Sequence, residues 1–326
     1  MEEEQLYQVG SELLAFREEV NRIKQEIRKI IVGQDHMIEL MIAALLSDGH
    51  ILIEGVPGVA KTLAAKLLSR TLDTRYSRIQ FTPDLMPSDV LGTSVFNVQK
   101  AEFEFRRGPI FSQVVLIDEI NRAPAKTQSA LFEVMEERQI TMDGMTYPMT
   151  PPFMVIATQN PIEQEGTYRL PEAQLDRFLF KIEVGYPDVD QETMILSEFH
   201  HRKGINDLDV IEPVLSAAQI QSYQEVVRSV EVEEHLFAYI VQIVNGTRKS
   251  KDIYLGASPR ASINIMTTAK AIAAMRGRKF VKPEDIQEMA IPVLAHRIIL
   301  TPEKEMEGAT TAEVVKRLVD QIEVPR

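Results

Sequence analysis

The sequence contains no cysteine, which excludes disulfide bonds, thiolate catalysis and zinc or iron–sulfur sites built on cysteine. It also lacks an uninterrupted apolar run of the ~18 residues that a membrane-spanning helix needs. Its first residues, MEEEQLYQ, are acidic where a secretory or mitochondrial signal would be basic. We therefore expect a cytoplasmic protein without a membrane span.

Dense basic clusters are missing as well. The chain has 36 Lys and Arg against 48 Asp and Glu, a formal net charge of −12. An acidic surface repels phosphate backbones and anionic lipids, so we expect no general affinity for nucleic acids or membranes. Hydrophobic residues make up 44% of the 326 residues, and no repeat or low-complexity stretch occurs, which is typical of a globular protein.

Short apolar segments alternate with helical stretches in the first part of the chain. This order predicts an α/β fold with a parallel sheet covered by helices on both faces. The segments predicted as strands are HILIEG, YSRIQF, VVLIDE, FMVIAT and FLFKIEV. Beyond them the pattern is helical throughout, with a capping box at Ser216 and Gln219 and a helix start at Pro283. We predict an α/β domain over residues 1–187 and a helical domain over residues 188–326.

An amphipathic helix is predicted near the N-terminus. Its apolar residues recur at gaps of three and four, and charged residues fill the positions between them. We expect this helix to dock on the domain that follows; a coiled-coil contact with a partner is the alternative. The apolar positions are Leu13, Phe16, Val20, Ile23, Ile27 and Ile30.

The segment EGVPGVAKT, residues 54–62, lies between a predicted strand and a predicted helix, as a phosphate-binding loop does. Lys61 would reach the β- and γ-phosphate oxygens of ATP, and the Thr62 hydroxyl would bind Mg²⁺. Ala60 replaces the usual glycine, which a loop tolerates if the alanine φ is negative. A glycine-rich turn without a ligand is the alternative. The residues predicted to contact nucleotide here are Gly55, Val56, Pro57, Gly58, Val59, Ala60, Lys61, Thr62 and Leu63.

Two further strand ends carry polar residues. The buried strand VVLIDE ends in Asp118 and Glu119, and packing alone does not explain two carboxylates at this place. Asp118 would hold Mg²⁺ and Glu119 would act as the base that polarises the attacking water. Asn160 ends the strand FMVIATQ and could orient that water, although an Asn before Pro161 is also typical of a turn.

The sequence of these motifs resembles that of the MoxR subgroup of the AAA+ ATPases, over about residues 32–297. The segments that carry the resemblance are EGVPGVAKT, DEINRAPAKTQSALFEVMEE, ATQNPIEQEGTY, LPEAQLDRF, GASPRA and VLAHR. The resemblance implies a P-loop NTPase αβα sandwich with a five-stranded parallel sheet, followed by an all-helical lid domain. Alanine before the lysine is common in that family, so the resemblance implies a working loop.

The resemblance also implies roles for residues outside the loop. Asn160 would be the sensor-1 residue, Arg177 the arginine finger offered to a neighbouring subunit, and Arg260 the sensor-2 residue. Val32 and Gly33, in the segment IVGQ, would border the adenine. Arg169 stands where the family leads us to expect proline, so the shape of that loop could differ.

Arg260 has an argument of its own. Ser258 is predicted as an N-cap and Pro259 as the first helical residue, which places a cation in the first helical turn, where the helix dipole disfavours it. A bound anion, in the same or an adjacent subunit, would offset that cost; a plain surface arginine is the alternative. Arg177 could likewise form an ordinary ion pair within its own chain.

Two insertions are predicted as hairpins, at about residues 91–109 and 140–149, and the resemblance implies that both face the channel of a ring. The second offers Met142, Met145 and Met149 in place of the Lys or Arg that a nucleic-acid motor would use. Adaptable methionines suit a protein client, although they could simply pack the hairpin onto its domain. His200 and His201 lack a second ligand pair at metal spacing and are expected to be solvated.

We therefore expect an ATPase that depends on Mg²⁺ and forms a homo-oligomer, a hexameric ring by the resemblance. Its work would be the chaperone-like remodelling or maturation of proteins, including metal-cofactor insertion, with a von Willebrand factor A domain protein as a partner. The alternatives are a helicase-type nucleic-acid motor and an ATP-gated scaffold that hydrolyses little.

Overall fold

The fold was taken from a computed structural model, which describes residues 2–161, 168, 170–203, 205 and 207–325, with the backbone alone for residues 2–12. Short 3-10 turns lie at residues 120–122 and 208–210. The helices are α1 (Glu2–Arg28), α2 (Asp35–Leu46), α3 (Lys61–Arg70), α4 (Pro87–Leu91), α5 (Ala125–Glu137), α6 (Glu172–Leu175), α7 (Val189–His201), α8 (Ala217–Ser229), α9 (Glu234–Lys249), α10 (Pro259–Met275), α11 (Pro283–Leu294), α12 (Pro302–Met306) and α13 (Thr311–Gln321).

The strands are short and belong to one main sheet and several two-stranded pairs. They are β1 (Ile51–Gly55), β2 (Leu72–Asp73), β3 (Tyr76–Gln80), β4 (Gly92–Asn97), β5 (Glu102–Arg107), β6 (Val114–Asp118), β7 (Gln139–Met142), β8 (Met145–Pro148), β9 (Met154–Gln159), β10 (Phe180–Val184), β11 (Leu215–Ser216), β12 (Ile253–Leu255) and β13 (Ile299–Leu300).

In the described part of the chain, five strands form one parallel sheet in the order β10-β1-β9-β6-β3. They are the five strands predicted from the sequence. Side chains alternate between the faces of a strand, so Leu116 packs on one face with α2 and α3, and Val115 and Ile117 pack on the other with α5. Helices on both faces explain why these strands are almost wholly apolar. The αβα sandwich is confirmed.

Helix α1 docks on its own chain. All six of its predicted apolar positions are buried, whereas Leu14 on the opposite face is 57% exposed. The helix contacts α2 and α3 beside the sheet and α10 of the helical part. One continuous hydrophobic cluster therefore joins the α/β domain to the helices that follow.

The helical part begins with α7, and the predicted division at residues 187/188 lies just before it and stays a prediction. The capping box of Ser216 and Gln219 and the start of α11 at Pro283 are as predicted. Sequence reasoning missed α12, α13 and the antiparallel pair β12–β13, in which Ile253 faces Leu300. No helix of the described residues is long and apolar enough to cross a bilayer.

Both predicted hairpins are present. Strands β4 and β5 form the first, β7 and β8 form the second, and the Ser94 hydroxyl contacts the Asp143 carboxylate between them. Met149 is buried and packs the second hairpin onto its domain, whereas Met145 at its tip is 61% exposed. The packing alternative therefore holds for Met149 and does not account for Met145.

Buried His50, directly before β1, is hydrogen-bonded to α5 and to β9. Its Nε2 lies 3.1 Å from the Met135 carbonyl of α5, and its Nδ1 accepts a hydrogen bond of 3.0 Å from the Val155 N–H of β9. Only the neutral ring with a proton on Nε2 can make both bonds. Burial, helped by the nearby Arg138 charge, lowers the pKa of His50 from 6.5 to about 3.

This burial predicts a stability that falls in acid. The folded chain binds fewer protons at His50 than the unfolded chain, so stability is lost as the pH falls from 6.5 towards 3. At pH 5 the loss from this residue should be about 2 kcal/mol. The free energy of unfolding by urea at pH 7 and pH 5 measures it.

In His50→Gln, the difference in unfolding free energy between the two pH values should shrink by that amount. The same substitution at exposed His36 is the control and should leave the difference unchanged. An undiminished pH dependence in His50→Gln would show that His50 is not the group that titrates.

Candidate functional site

The predicted phosphate-binding loop joins β1 to α3. A Cβ at Gly55 would lie 2.5 Å from the Val184 carbonyl of β10, so only glycine lets the two strands approach. Gly58 has φ +90° and Ala60 has φ +62°. The condition of a negative φ at Ala60 is not met: the alanine takes the left-handed conformation at a cost of about 1 kcal/mol.

Lys61 folds back onto the loop. Its ammonium group donates hydrogen bonds to the carbonyl oxygens of Gly55 and, at 2.9 Å, of Val56. Burial lowers the pKa of Lys61, while the carboxylates of Glu119, Glu54 and Asp118 act in the opposite direction. The loop thus holds a cation at the N-terminus of α3, where phosphates bind in other loops of this form.

Asp118 is a buried carboxylate with three partners. Its Oδ1 accepts hydrogen bonds from the hydroxyls of Thr62 at 2.8 Å and Thr158 at 3.1 Å. Its Oδ2 lies 2.6 Å from Nε of Arg78, which comes from the edge strand β3. A buried charge is costly unless it is paired, and the Arg78 guanidinium supplies the positive charge here.

Glu119 follows β6 with φ +57°, a left-handed conformation that is uncommon outside glycine and clusters at functional sites. This turn lets the backbone N–H of Glu119 donate to the Thr158 hydroxyl at 3.1 Å. The carboxylate accepts a hydrogen bond of 2.9 Å from the Gln80 amide and lies 3.0 Å from Nε of Arg122. The Glu119 carboxylate is therefore held at the carboxyl end of β6, in an orientation set by Gln80 and Arg122.

These side chains surround one cavity of about 390 Å³ at the carboxyl ends of the strands. Such a position is where open α/β sheets bind ligands. Sequence reasoning missed Arg78 and Gln80; the only available signal was that YSRIQF is a predicted strand of the same sheet. The lining residues are Pro57, Gly58, Val59, Ala60, Lys61, Thr62, Leu63, Arg78, Gln80, Asp118, Glu119, Thr158, Gln159 and Asn160.

Val32 and Gly33 do not line this cavity. They precede α2, and a Cβ at Gly33 would lie 3.2 Å from the Gln191 side chain of α7. Gly33 has φ +70° and Gln34 has φ +58°, so the chain turns sharply there. Their predicted contact with adenine therefore depends on a nucleotide that would extend towards α7.

Arg177 and Arg260 lie together at a separate cavity of about 210 Å³. Nε of Arg177 is 3.2 Å from Oε2 of Glu136, and Nη1 of Arg260 is 3.2 Å from Oε1 and 3.3 Å from Oε2 of the same carboxylate. Arg177 thus forms an ion pair within its own chain, which was the alternative considered for it. Neither arginine lines the phosphate-loop cavity of its own chain.

Buried Arg297 fixes the segment that carries Arg177. Its Nε is 2.6 Å from the Asp176 carboxylate, and its terminal nitrogens donate to the carbonyls of Phe178 at 2.6 Å and Leu179 at 3.2 Å. Burial lowers the pKa of Arg297 to about 10, although the Asp176 charge opposes the shift. A residue of the helical part therefore positions Arg177.

Ser258 precedes α10 as predicted, and Pro259 is its first residue, but the serine hydroxyl makes no capping bond. It lies 3.3 Å from Oδ2 of Asp176, so it ties the start of α10 to the segment of Arg177. The predicted departure at Arg169 lies outside the described residues. His200 and His201 are exposed at the end of α7, as expected.

Within the described residues, no group of three or more His, Asp or Glu could enclose a metal ion. The Thr62 hydroxyl and the Asp118 carboxylate nevertheless present oxygen atoms 2.8 Å apart beside the loop. Mg²⁺ is commonly held by one or two protein oxygens together with substrate phosphates. The residues therefore fit this ion in the company of a nucleotide.

The left-handed Ala60 predicts that Ala60→Gly stabilises the chain. Glycine removes the strain at φ +62° but adds unfolded-state entropy, so the net gain should be at most about 1 kcal/mol. Ala65→Gly within α3 is the matched control and should cost about 1 kcal/mol or more. Urea unfolding compares the two; a loss of stability in both would contradict the left-handed conformation.

Comparisons with known proteins agree with this geometry. A family model described as the ATPase family associated with various cellular activities (AAA) matches residues 50–180, and one described as the AAA lid domain matches residues 245–318. A crystal structure of a candidate ATPase from Cytophaga hutchinsonii is 40% identical, with a TM-score of 0.89 over 99% of both chains.

Two relatives extend along most of the chain. The uncharacterized protein YeaC of Bacillus subtilis is 43% identical over 96% of this chain and 98% of its own. The chaperone MoxR1 of Mycobacterium tuberculosis is 44% identical over 92% of this chain and 81% of its own. Identity of this extent, on a five-stranded sheet with a phosphate-binding loop and a helical lid domain, shows that the chain belongs to the MoxR-type AAA+ ATPases.

Proposed function

We propose that this ATPase works as a ring in which each active site is shared by two neighbouring copies of the chain. The phosphate-loop cavity collects Lys61, Asp118, Glu119 and Asn160. Arg177 and the nearby Arg260 lie at another cavity and contact Glu136. This separation of the two arginines from the loop of their own chain carries the proposal.

Within such a site, Lys61 would exchange its loop carbonyls for phosphate oxygens. Thr62 and Asp118 would hold Mg²⁺, which offsets negative charge on the phosphates when it is bound. Glu119 would accept a proton from the attacking water, and Asn160 would orient that water. Arg177 of the neighbour would neutralise the charge that develops on the γ-phosphate.

We expect Arg260 to act beside Arg177 in the same neighbouring site, because one carboxylate holds both side chains. Both side chains are partly exposed, 32% for Arg177 and 44% for Arg260, so another copy can reach them. Two guanidinium groups suit a phosphate, which offers several acceptor oxygens to planar donors.

The client is proposed to be a protein. The exposed apolar side chains of the two hairpins, Phe96, Phe103 and Met145, suit apolar segments of a client. By the family resemblance, a protein with a von Willebrand factor A domain is the first partner to test, and metal-cofactor insertion is one form that the work could take. The hexameric ring and a cytoplasmic location also stay predictions.

A shared site predicts that ATP hydrolysis depends on protein concentration. The rate per subunit should rise as the concentration increases a hundredfold, because dilution separates the arginines from the loop. Arg177→Ala should lower kcat by about 10³ and leave the dissociation constant of a fluorescent nucleotide unchanged. Steady-state hydrolysis of Mg-ATP, with the mass measured at each concentration, provides the test.

The control is Arg228→Ala, which removes an exposed arginine of α8 that pairs with Glu225. This variant should hydrolyse ATP like the parent chain. A constant rate across concentrations at which the mass shows single subunits would overturn the shared site.

A further inference from the structure

We propose that Glu136 is a positioning residue for ATP hydrolysis: it sets Arg177 and Arg260 as one two-guanidinium unit for the neighbouring active site. The inference rests on the proposed function, since it concerns the arginines that a second copy would use. Glu136 itself touches no nucleotide in this proposal and acts through the two arginines.

The Glu136 carboxylate contacts both arginines. Glu136 lies in the last turn of α5, Arg177 lies between α6 and β10, and Arg260 lies in the first turn of α10. Nε of Arg177 lies 3.2 Å from Oε2 of Glu136, and Nη1 of Arg260 lies 3.2 Å from Oε1 and donates to Oε2 at 3.3 Å. One side chain thus fixes the relative placement of two cations that come from separate elements.

Each guanidinium contacts Glu136 through only one of its three nitrogens. Arg177 contacts Glu136 through Nε, and its two terminal nitrogens make no hydrogen bond to another described residue. Arg260 contacts Glu136 through Nη1, and its Nε and Nη2 do not take part in that contact. The carboxylate therefore occupies one edge of each guanidinium and leaves donors for a phosphate, whose planar recognition by arginine depends on orientation.

Glu136 also offsets the positive charge of the two arginines. Two guanidinium groups held close together repel each other, and Arg260 also lies in a helical turn where the dipole disfavours a cation. The Glu136 carboxylate offsets both effects, and the three groups retain one net positive charge. That remaining charge favours an incoming phosphate without forcing the two arginines apart.

All three side chains are partly exposed to solvent. The side chain of Glu136 is 35% exposed, and both arginines are similarly accessible. Ion pairs with this much solvent contact contribute little to folding. Removal of the Glu136 charge should therefore leave stability nearly unchanged, so that a loss of activity cannot be attributed to unfolding.

The test begins with Glu136→Gln, which keeps the shape of the side chain and removes its charge. We expect kcat for Mg-ATP hydrolysis to fall about tenfold. The half-saturating ATP concentration, the dissociation constant of a fluorescent nucleotide and the unfolding midpoint should stay unchanged. Glu137→Gln, at the adjacent exposed residue, is the matched control and should hydrolyse ATP like the parent chain.

Mixed rings then locate the effect. Glu136→Gln subunits are combined with Lys61→Ala subunits, whose loop is impaired but whose arginines are intact. In a random mixture about half of the intact loops gain a fully positioned neighbour, so the rate per intact loop should rise to about half that of the parent. Arg177→Ala mixed with Lys61→Ala should recover in the same way and shows that subunits exchange.

Three results would overturn the inference. An unchanged kcat in Glu136→Gln would leave the carboxylate without a role in hydrolysis. If Arg177→Ala recovers in mixed rings but Glu136→Gln does not, Glu136 acts on its own subunit, and the shared site stands without this inference. If neither variant recovers, the shared site itself fails, and the inference fails with it.

Discussion

The placement of Arg177 and Arg260 depends on one interaction, the contact of the buried Arg297 guanidinium with the segment before β10. Its side chain is 1% exposed and meets the Asp176 carboxylate together with carbonyls of the segment before β10. A buried charge remains stable only when such partners satisfy it, and removal of one partner is strongly destabilising. The helical part of the chain thus holds Arg177, and Ser258 ties α10 to the same Asp176. Both arginines are placed by bonds that cross between the two parts of the molecule.

The cavity beside the loop at residues 55–63 follows a related rule, in which the acidic side chains Asp118 and Glu119 each have a cationic or amide partner. Arg78 faces Asp118 and Gln80 faces Glu119, and the two partners are neighbours on one face of β3. Nη2 of Arg78 lies 3.4 Å from the side-chain oxygen Oε1 of Gln80, so the two carboxylates are linked through side chains of one strand. The left-handed turn at Glu119 keeps its carboxylate beside Gln80, at the carboxyl end of β6.

Much of this could be predicted from the sequence because it depends on local pattern. The five strands are buried on both faces and are therefore apolar, and Lys61, Asp118 and Glu119 occupy recognisable positions at their ends. Other features depend on distant residues. The φ of Ala60 is set by the closed loop. The partner of Arg177 is Glu136, which lies 41 positions earlier in the chain. The ion pair between Arg78 and Asp118 forms only because β3 lies beside β6 in the sheet. Short elements such as β12 and β13 have too few residues to show a period.

Helix α1 has a mechanical consequence. From Leu13 onwards its apolar face is buried against α2, α3 and α10, within a single hydrophobic cluster that includes the sheet and the C-terminal helices. Hinge motion between two domains is expected only where their interface is small or polar. A cluster of this kind favours a subunit that moves as one rigid body. In the ring proposed above, work derived from ATP hydrolysis would then be delivered as rotation of whole subunits against one another, and the movable contacts would lie between chains.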